Sequence, residues 1–332
     1  MSSDTGNSAN FWHLADYDEA FWTNYLAARP NYDANGFYDL LYAYHDAHTG
    51  RYDVAYDVGT GPGQVAGVFA TRFKRVIASD KNDAHLTAAK KLHGHLPNIE
   101  FQLCPGEDVA LGIPAASCDA VVCAEAIPLM DHERALDAFA RVLKPGGTLA
   151  VWFYGRPIFA DDGDDQASAC QEIYGRLFTA AAAKVVEAGG PAFRTGWKAA
   201  TDVIASELDA VGFPASTWRD VERRKWNTAS GGGGKMEFND ALPDVPIDRP
   251  SRVDPSREQT THIRDATFWA ERWDVGQVRN FVQALLPTAG HAQLDQDPEL
   301  RGLFAELTEA MGGESAKRQI AWPVVLLLAT RK

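Results

Sequence analysis

Asp57-Val58-Gly59-Thr60-Gly61-Pro62-Gly63-Gln64 joins the end of a short apolar run, YDVAYDV at 52–58, to a helical pattern. A glycine-rich turn between strand and helix lets backbone approach a ligand closely, and in open α/β sheets ligands sit outside the carboxyl ends of the strands. The position predicts a site for a nucleotide-like ligand. A dinucleotide fingerprint needs glycine at the sixth place counted from Gly59, where Gln64 stands, and Asp57 would set a negative charge near a pyrophosphate. Both features argue against NAD or FAD and suit a ligand with a cationic end.

Outward from this turn, apolar runs alternate with helical patterns: RVIASD at 75–80, NIEFQL at 98–103, CDAVVCA at 118–124 and TLAVWFY at 148–154. This alternation predicts βαβ units and a doubly wound, mostly parallel sheet covered on both faces. After Tyr154 the order loosens. FADDGDDQ reads as an acidic loop, 167–188 as an alanine-rich helix and STWRDVERRKWN at 216–227 as a strand. SGGGGK and the proline- and aspartate-rich ALPDVPIDRPSRVDPSRE resist regular structure, so 229–260 reads as an insertion. Helical patterns return near 266–287 and 296–312, and IAWPVVLLLATRK reads as a buried strand with a basic end. Before the turn, Phe11, Trp12, Tyr17, Phe21, Trp22, Tyr25, Tyr32, Phe37, Tyr38, Tyr42 and Tyr44 sit on helical spacing and must dock on something. The expected division is a helical aromatic cap over 1–50, a core over 51–228 and 318–332, and an insertion with a helical lid over 229–317.

The 332 residues are enough for one large domain or a core with an insertion. Hydrophobic residues at 45% and charged residues at 23% fit a compact fold. A net charge of −13 would repel a nucleic-acid backbone or an anionic membrane, which leaves a small molecule as the expected partner. No apolar run reaches the length of a membrane span, and MSSDTGNSAN lacks the basic-then-apolar order of a secretory signal, so a cytoplasmic protein is expected. Cys104, Cys118, Cys123 and Cys170 lack CxxC spacing and read as reduced thiols rather than metal ligands. Monomer and homodimer both remain open.

The run 57–64 resembles motif I of the class I S-adenosylmethionine-dependent methyltransferases. The resemblance implies that Asp57, Gly59, Thr60, Gly61 and Gln64 hold the amino-acid part of the cofactor, which leaves as S-adenosylhomocysteine. Asp80, followed by Lys81, ends the second apolar run; a carboxylate there can accept both ribose hydroxyls, or can cap a helix from Asn82 onward. Glu107-Asp108 follow the third strand, where the family contacts adenine, although the pair equally suits a helix N-terminus. Ala124-Glu125 end the fourth strand on the cofactor side. Leu143-Lys144-Pro145-Gly146-Gly147 is also similar to a family turn, whose task is to stop a helix and start the fifth strand. Across 52–154 the resemblance implies a seven-stranded Rossmann-like methyltransferase sheet.

Tyr25-Leu26-Ala27-Ala28-Arg29-Pro30-Asn31-Tyr32 looks like the segment before motif I in the trans-aconitate methyltransferase-like group and in fungal small-molecule methyltransferases, including those acting on dithiol metabolites. It implies Tyr25 and Arg29 at the cofactor and Trp22 or Tyr32 at the acceptor, though each ring could equally glue helix to sheet. Arg224-Lys225-Trp226-Asn227 and Phe268-Trp269-Ala270-Glu271-Arg272-Trp273-Asp274-Val275 resemble lid elements, which adds Trp226, Asn227 and Trp269 to the substrate contacts. Where this group often carries His-Trp before an aspartate, the chain has Pro128-Leu129-Met130-Asp131, an apolar wall that brings Leu129 to the acceptor.

Methyl transfer from a sulfonium is an in-line displacement, in which alignment alone can supply about 7–11 kcal/mol. A dedicated base is optional and no catalytic residue is assigned; His45, His48 and His132 are candidates, with surface or capping roles as the alternative. His93 and His95 lack a third metal ligand, and no metal is expected. Arg219, Arg223, Arg224 and Lys225 could meet a tricarboxylate, but strand alternation would send several outward. The expected enzyme methylates an apolar or aromatic metabolite on a thiol, hydroxyl, carboxylate or amine. The alternative is a methyltransferase fold that has lost catalysis and serves as a regulatory partner.

Overall fold

The computed structural model describes residues 19–161, 165–285 and 296–332. Phe11, Trp12 and Tyr17, part of the acidic loop and the end of the pattern at 266–287 lie outside the described residues. The elements run α1 (Glu19–Ala28), α2 (Phe37–His48), β1 (Val54–Val58), α3 (Gln64–Phe69), β2 (Arg75–Asp80), α4 (Asp83–His93), β3 (Ile99–Leu103), α5 (Val109–Gly112), β4 (Cys118–Ala124), α6 (His132–Val142) and β5 (Leu143–Tyr154). They continue with β6 (Ile158–Phe159), α7 (Asp165–Ala205), β7 (Trp218–Trp226), β8 (Glu258–Ile263), β9 (Glu271–Trp273), α8 (Val275–Leu285), α9 (Pro298–Met311), β10 (Arg318–Ala321) and β11 (Val324–Arg331).

The main sheet has the order β3-β2-β1-β4-β5-β11-β7-β8. Its pairings are parallel except at β11, which runs antiparallel to both β5 and β7. Period-two alternation divides the strands between two cores: Ala55, Ala120, Val122 and Leu326 face one, and Tyr56, Val121, Cys123 and Leu327 face the other. Helix starts follow local chemistry. Asn82 accepts from Ala84 N (2.9 Å) ahead of α4, Asp131 from Arg134 N (3.2 Å) ahead of α6, and Asp297 from Leu300 N (3.1 Å) with Pro298 at the first turn of α9.

The structure departs from the sequence expectations in four places. The sheet has eight strands rather than seven, because EQTTHI pairs in parallel with β7 and the irregular segment ends before Glu258. No helix covers 266–274: Asp265 Oδ1 accepts from the amide and hydroxyl of Thr267 and fixes a turn, after which β9 pairs with β10 and Asp274 Oδ1 accepts from Gln277 N at the start of α8. The alanine-rich helix extends to Ala205 and kinks at Gly190-Pro191. The LKPGG run is part of β5 as a bulge, with the register jumping from Cys118–Leu143 to Ala120–Thr148 while Lys144 Nζ donates to Asp119 (2.8 Å).

The N-terminal rings dock on the sheet's C-terminal half. Tyr32 stacks on Trp269 (5.4 Å between centroids), Phe37 meets Trp269 and Trp152 edge-on (4.9 and 5.5 Å), and Asn35 Oδ1 accepts from Trp269 N (2.8 Å). Cys118, Cys123 and Cys170 are buried and belong to no disulfide. No helix among the described residues is long and apolar enough to cross a membrane.

Candidate active site

The turn after β1 is knitted to the end of β2. Thr60 N donates to Ser79 O (2.8 Å), Gly61 N to Asp80 Oδ2 (3.0 Å) and Asn82 N to Asp80 Oδ1 (2.9 Å), with His85 Nδ1 at 3.3 Å from Asp80 Oδ2. Asp57 is buried beneath this turn. Its Oδ2 accepts from the Thr60 hydroxyl (2.6 Å) and its Oδ1, equally buried, has no partner. Loss of hydration pushes the Asp57 carboxyl up to about 7, against the opposing hydrogen bonds of the Thr60 hydroxyl and the Ala66 amide. Gly61 has φ +55°, and a Cβ built on it would meet nothing within 4 Å, so its α-carbon faces open space.

A half-buried arginine closes the same cavity from the N-terminal side. Arg29 lies over the Tyr25 ring (4.4 Å), donates to Tyr154 Oη (2.5 Å) and to Ala284 O (3.2 Å), and keeps a buried Nε without a partner. Glu125, at φ +58° just past β4, accepts from Tyr154 N (2.7 Å), and burial holds its carboxyl well above the usual range. Glu107 accepts from Asp131 N (2.9 Å) and ties the segment after β3 to the loop after β4.

Beyond these charges the cavity turns apolar. Leu129 and Met130 line it from the loop after β4, Phe153 from β5, Phe178, Trp197, Thr201 and Ile204 from both halves of α7, and Glu237, Phe238 and Asn239 from the segment after the glycine run. Ion-binding groups at one end and rings at the other give a cleft that can hold a polar cofactor against an apolar second ligand.

The methyltransferase-domain family matches residues 56–151. The chain is 42% identical to methyltransferase pgmE of Aspergillus terreus over 98% of its length and 97% of that protein. It is 42% identical to methyltransferase cfoB of Aspergillus candidus over 96% and 97%, and 37% identical to methyltransferase ptaI of Pestalotiopsis fici over 94% and 93%. The chain belongs to the class I S-adenosylmethionine-dependent methyltransferases. A type II methyltransferase structure from Anaeromyxobacter dehalogenans shares its fold, with a TM-score of 0.55, 19% identity, and coverage of 91% of this chain and 97% of the other.

In this methyltransferase, Tyr25, Arg29, Tyr32, Asp57, Gly59, Thr60, Gly61, Gln64, Asp80, Lys81, Glu107, Ala124, Glu125 and Leu129 line one cavity. The other sequence candidates lie elsewhere. Asp108 is 3.5 Å from Arg134 on α6. Trp22 packs edge-on against His85 (5.3 Å), behind the wall. Trp226 stacks on Phe268 (4.6 Å), Trp269 sits between Tyr32 and Phe37, and Asn227 donates to Asp265 O and Trp322 O; none of the three is among the residues that line this cavity. His45 is buried near the start of β5 between Thr148 Oγ1 and Arg51 O, and burial lowers its pKa. His132 opens α6 off the wall, and His48 pairs with Asp220. His93 supports the turn from below, where a Cβ on Gly63 would come within 2.8 Å of its ring.

The cations of β7 also leave the cavity. Arg223 and Lys225 share the buried face, where Arg223 meets Glu258 and Lys225 meets Asp209 and Glu207; Arg224 pairs with Glu222 and Arg219 with Asp220. A tricarboxylate would find none of them. Sequence reading missed the far wall. Trp197, Thr201 and Ile204 follow helical spacing and were legible as a stripe. Glu237, Phe238 and Asn239 carry no periodic signal within their glycine- and proline-rich stretch.

Proposed function

We propose that this enzyme moves the methyl group of S-adenosylmethionine to a small apolar or aromatic molecule held between the glycine turn and the rings of α7. The observation that carries this reading is a pair of buried atoms on two residues that line one cavity, Asp57 Oδ1 without a side-chain donor and Arg29 Nε without an acceptor. An α-amino acid presents the matching ammonium and carboxylate, and the open α-carbon of Gly61 leaves room for close approach. When bound, the cofactor supplies an electrophilic methyl carbon on a sulfonium.

The chain's own residues then bind and orient. Asp57, Thr60, Gly59, Gly61, Gln64, Tyr25 and Arg29 hold the amino-acid end; Asp80 and Lys81 face the ribose, Glu107 the adenine, and Ala124 and Glu125 the floor between them. Each oxygen of Asp80 already accepts a backbone N–H and keeps lone pairs for a hydroxyl. Phe153, Phe178, Trp197, Phe238 and Leu129 exclude water and set the acceptor in line, the positioning on which this displacement depends. In this reading residues 19–50 cap the cofactor end, and Glu237, Phe238 and Asn239 of the segment after β7 contribute the far wall.

Calorimetric titration with S-adenosylmethionine and S-adenosylhomocysteine, then a methyl-transfer screen over phenol, thiol, carboxylate and amine metabolites, tests the proposal. Micromolar binding with turnover on one class is expected; no binding would remove the site assignment, and binding without turnover would favour a regulatory protein. Asp57→Ala is expected to weaken cofactor binding about 10- to 100-fold, the worth of one charged hydrogen bond.

The elevated Asp57 carboxyl gives a pH signature. Its folded value, about 7, exceeds the roughly 4 of an unfolded carboxylate. This group therefore favours the unliganded fold at low pH, and that contribution is lost as pH rises through the folded value. Binding an ammonium needs the ionised form and so releases a proton. Affinity is expected to rise by up to about tenfold per pH unit towards neutrality and then level off, and Asp57→Asn is expected to flatten the profile. A flat profile in the natural chain would show that Asp57 does not meet the ammonium.

A further inference from the structure

The far end of the cavity carries two hydrogen-bond acceptors that the cofactor reading leaves unused. Asn239 is 1% exposed. Its Nδ2 donates to Asp240 O (2.8 Å), which fixes the direction of the amide and leaves Oδ1 buried with no partner. Glu237 is 2% exposed; Arg249 donates to its Oε1 (2.6 Å), and no hydrogen bond within the described residues engages its Oε2. Both residues line the cavity beside Phe238, Trp197 and Phe178.

The segment is held in place rather than draped. Arg156 N donates to Met236 O (3.1 Å) and Asp240 N to Thr179 Oγ1 (2.9 Å). Gly155 lies so close that a Cβ on it would come within 2.4 Å of the Met236 α-carbon. The two acceptors are therefore preorganised, and a buried carbonyl oxygen without a donor is unfavourable until a ligand supplies one. A carboxylate or thiolate would face the Glu237 carboxylate, whereas a neutral hydroxyl would donate to it.

Resting on the cofactor reading above, we infer that Glu237 and Asn239 select the acceptor: a flat aromatic molecule whose neutral hydroxyl donates to Asn239 Oδ1, while the neighbouring Glu237 carboxylate disfavours an anionic edge. The ring lies among Phe153, Phe178, Trp197 and Phe238, and a neutral donor on its edge satisfies the Asn239 oxygen that the protein leaves unpaired.

The test is calorimetric titration of the full chain, with S-adenosylhomocysteine present, using 1-naphthol, 1-methoxynaphthalene and 1-naphthoate. The three share a ring system and differ in edge chemistry. 1-Naphthol is expected to bind at least about tenfold tighter than either of the others. Asn239→Leu is expected to erase most of its advantage over the methoxy compound. Glu237→Gln, nearly isosteric, replaces a charged acceptor with an amide that can also donate and is expected to narrow the gap to 1-naphthoate. Unchanged S-adenosylhomocysteine affinity in both variants shows that they fold. Equal binding of the three probes, no binding of 1-naphthol, or a preference that survives both substitutions overturns the inference while leaving the cofactor site standing. Failure of S-adenosylhomocysteine to bind the natural chain would instead strike the reading on which it rests.

Discussion

Valine at position 61 is expected to leave the chain folded and to lower its affinity for S-adenosylmethionine more than about 100-fold. Two effects combine. Gly61 has φ +55°, a conformation that costs a residue bearing a Cβ about 1–2 kcal/mol and is worse for a branched one. The added methyls meet no protein atom, because the built Cβ has nothing within 4 Å, so they project into the space where the cofactor's backbone contacts would form. The strain lowers stability by about that amount, the occlusion acts on binding, and the packing that holds the fold is untouched. Circular dichroism and thermal unfolding report the fold, and calorimetry reports the affinity. Retained binding would show that the turn does not face the cofactor.

The largest stability effect is expected at Arg223→Ala, about 3–5 kcal/mol, because truncating one partner of a buried ion pair leaves the other charge uncompensated. Arg223 is fully buried and donates to Glu258 Oε2 (2.6 Å), Leu208 O (3.1 Å) and Val211 O (2.7 Å). Its removal orphans a carboxylate and two carbonyls at once, and loosens both β8 and the chain leaving α7. The urea midpoint is expected to fall sharply, while the double change Arg223→Met with Glu258→Leu recovers much of the loss, since the charge and its partner leave together. A single variant within about 1 kcal/mol of the natural chain would mean that water reaches the site.

Legibility followed locality. β1, β2, β4 and β5 could be read because strands buried on both faces are short apolar runs with helical segments between them. β8 could not, since Glu258–Ile263 is a polar edge strand buried fully only at Glu258, and its pairing depends on an arginine of β7. The glycine turn carried the near wall of the site because backbone conformation and charge sit in one continuous stretch. Trp226 and Trp269 resemble substrate contacts in sequence, yet a ring that faces a ligand and a ring that faces Phe268 or Tyr32 look alike there. Glu237 and Asn239 are placed by Gly155, Arg156 and Thr179, contacts far along the chain that no local pattern encodes.

The position of β11 bears on how the enzyme is made. Residues 324–331 lie between β5 and β7 in the middle of the sheet, yet they are synthesised after the other seven strands of that sheet. Until then the nascent chain carries a slot with two unpaired edges, each ready to accept a strand from elsewhere. A synthetic peptide of sequence VVLLLATR is therefore expected to compete with residues 324–331 during refolding from urea and to lower the yield of folded chain.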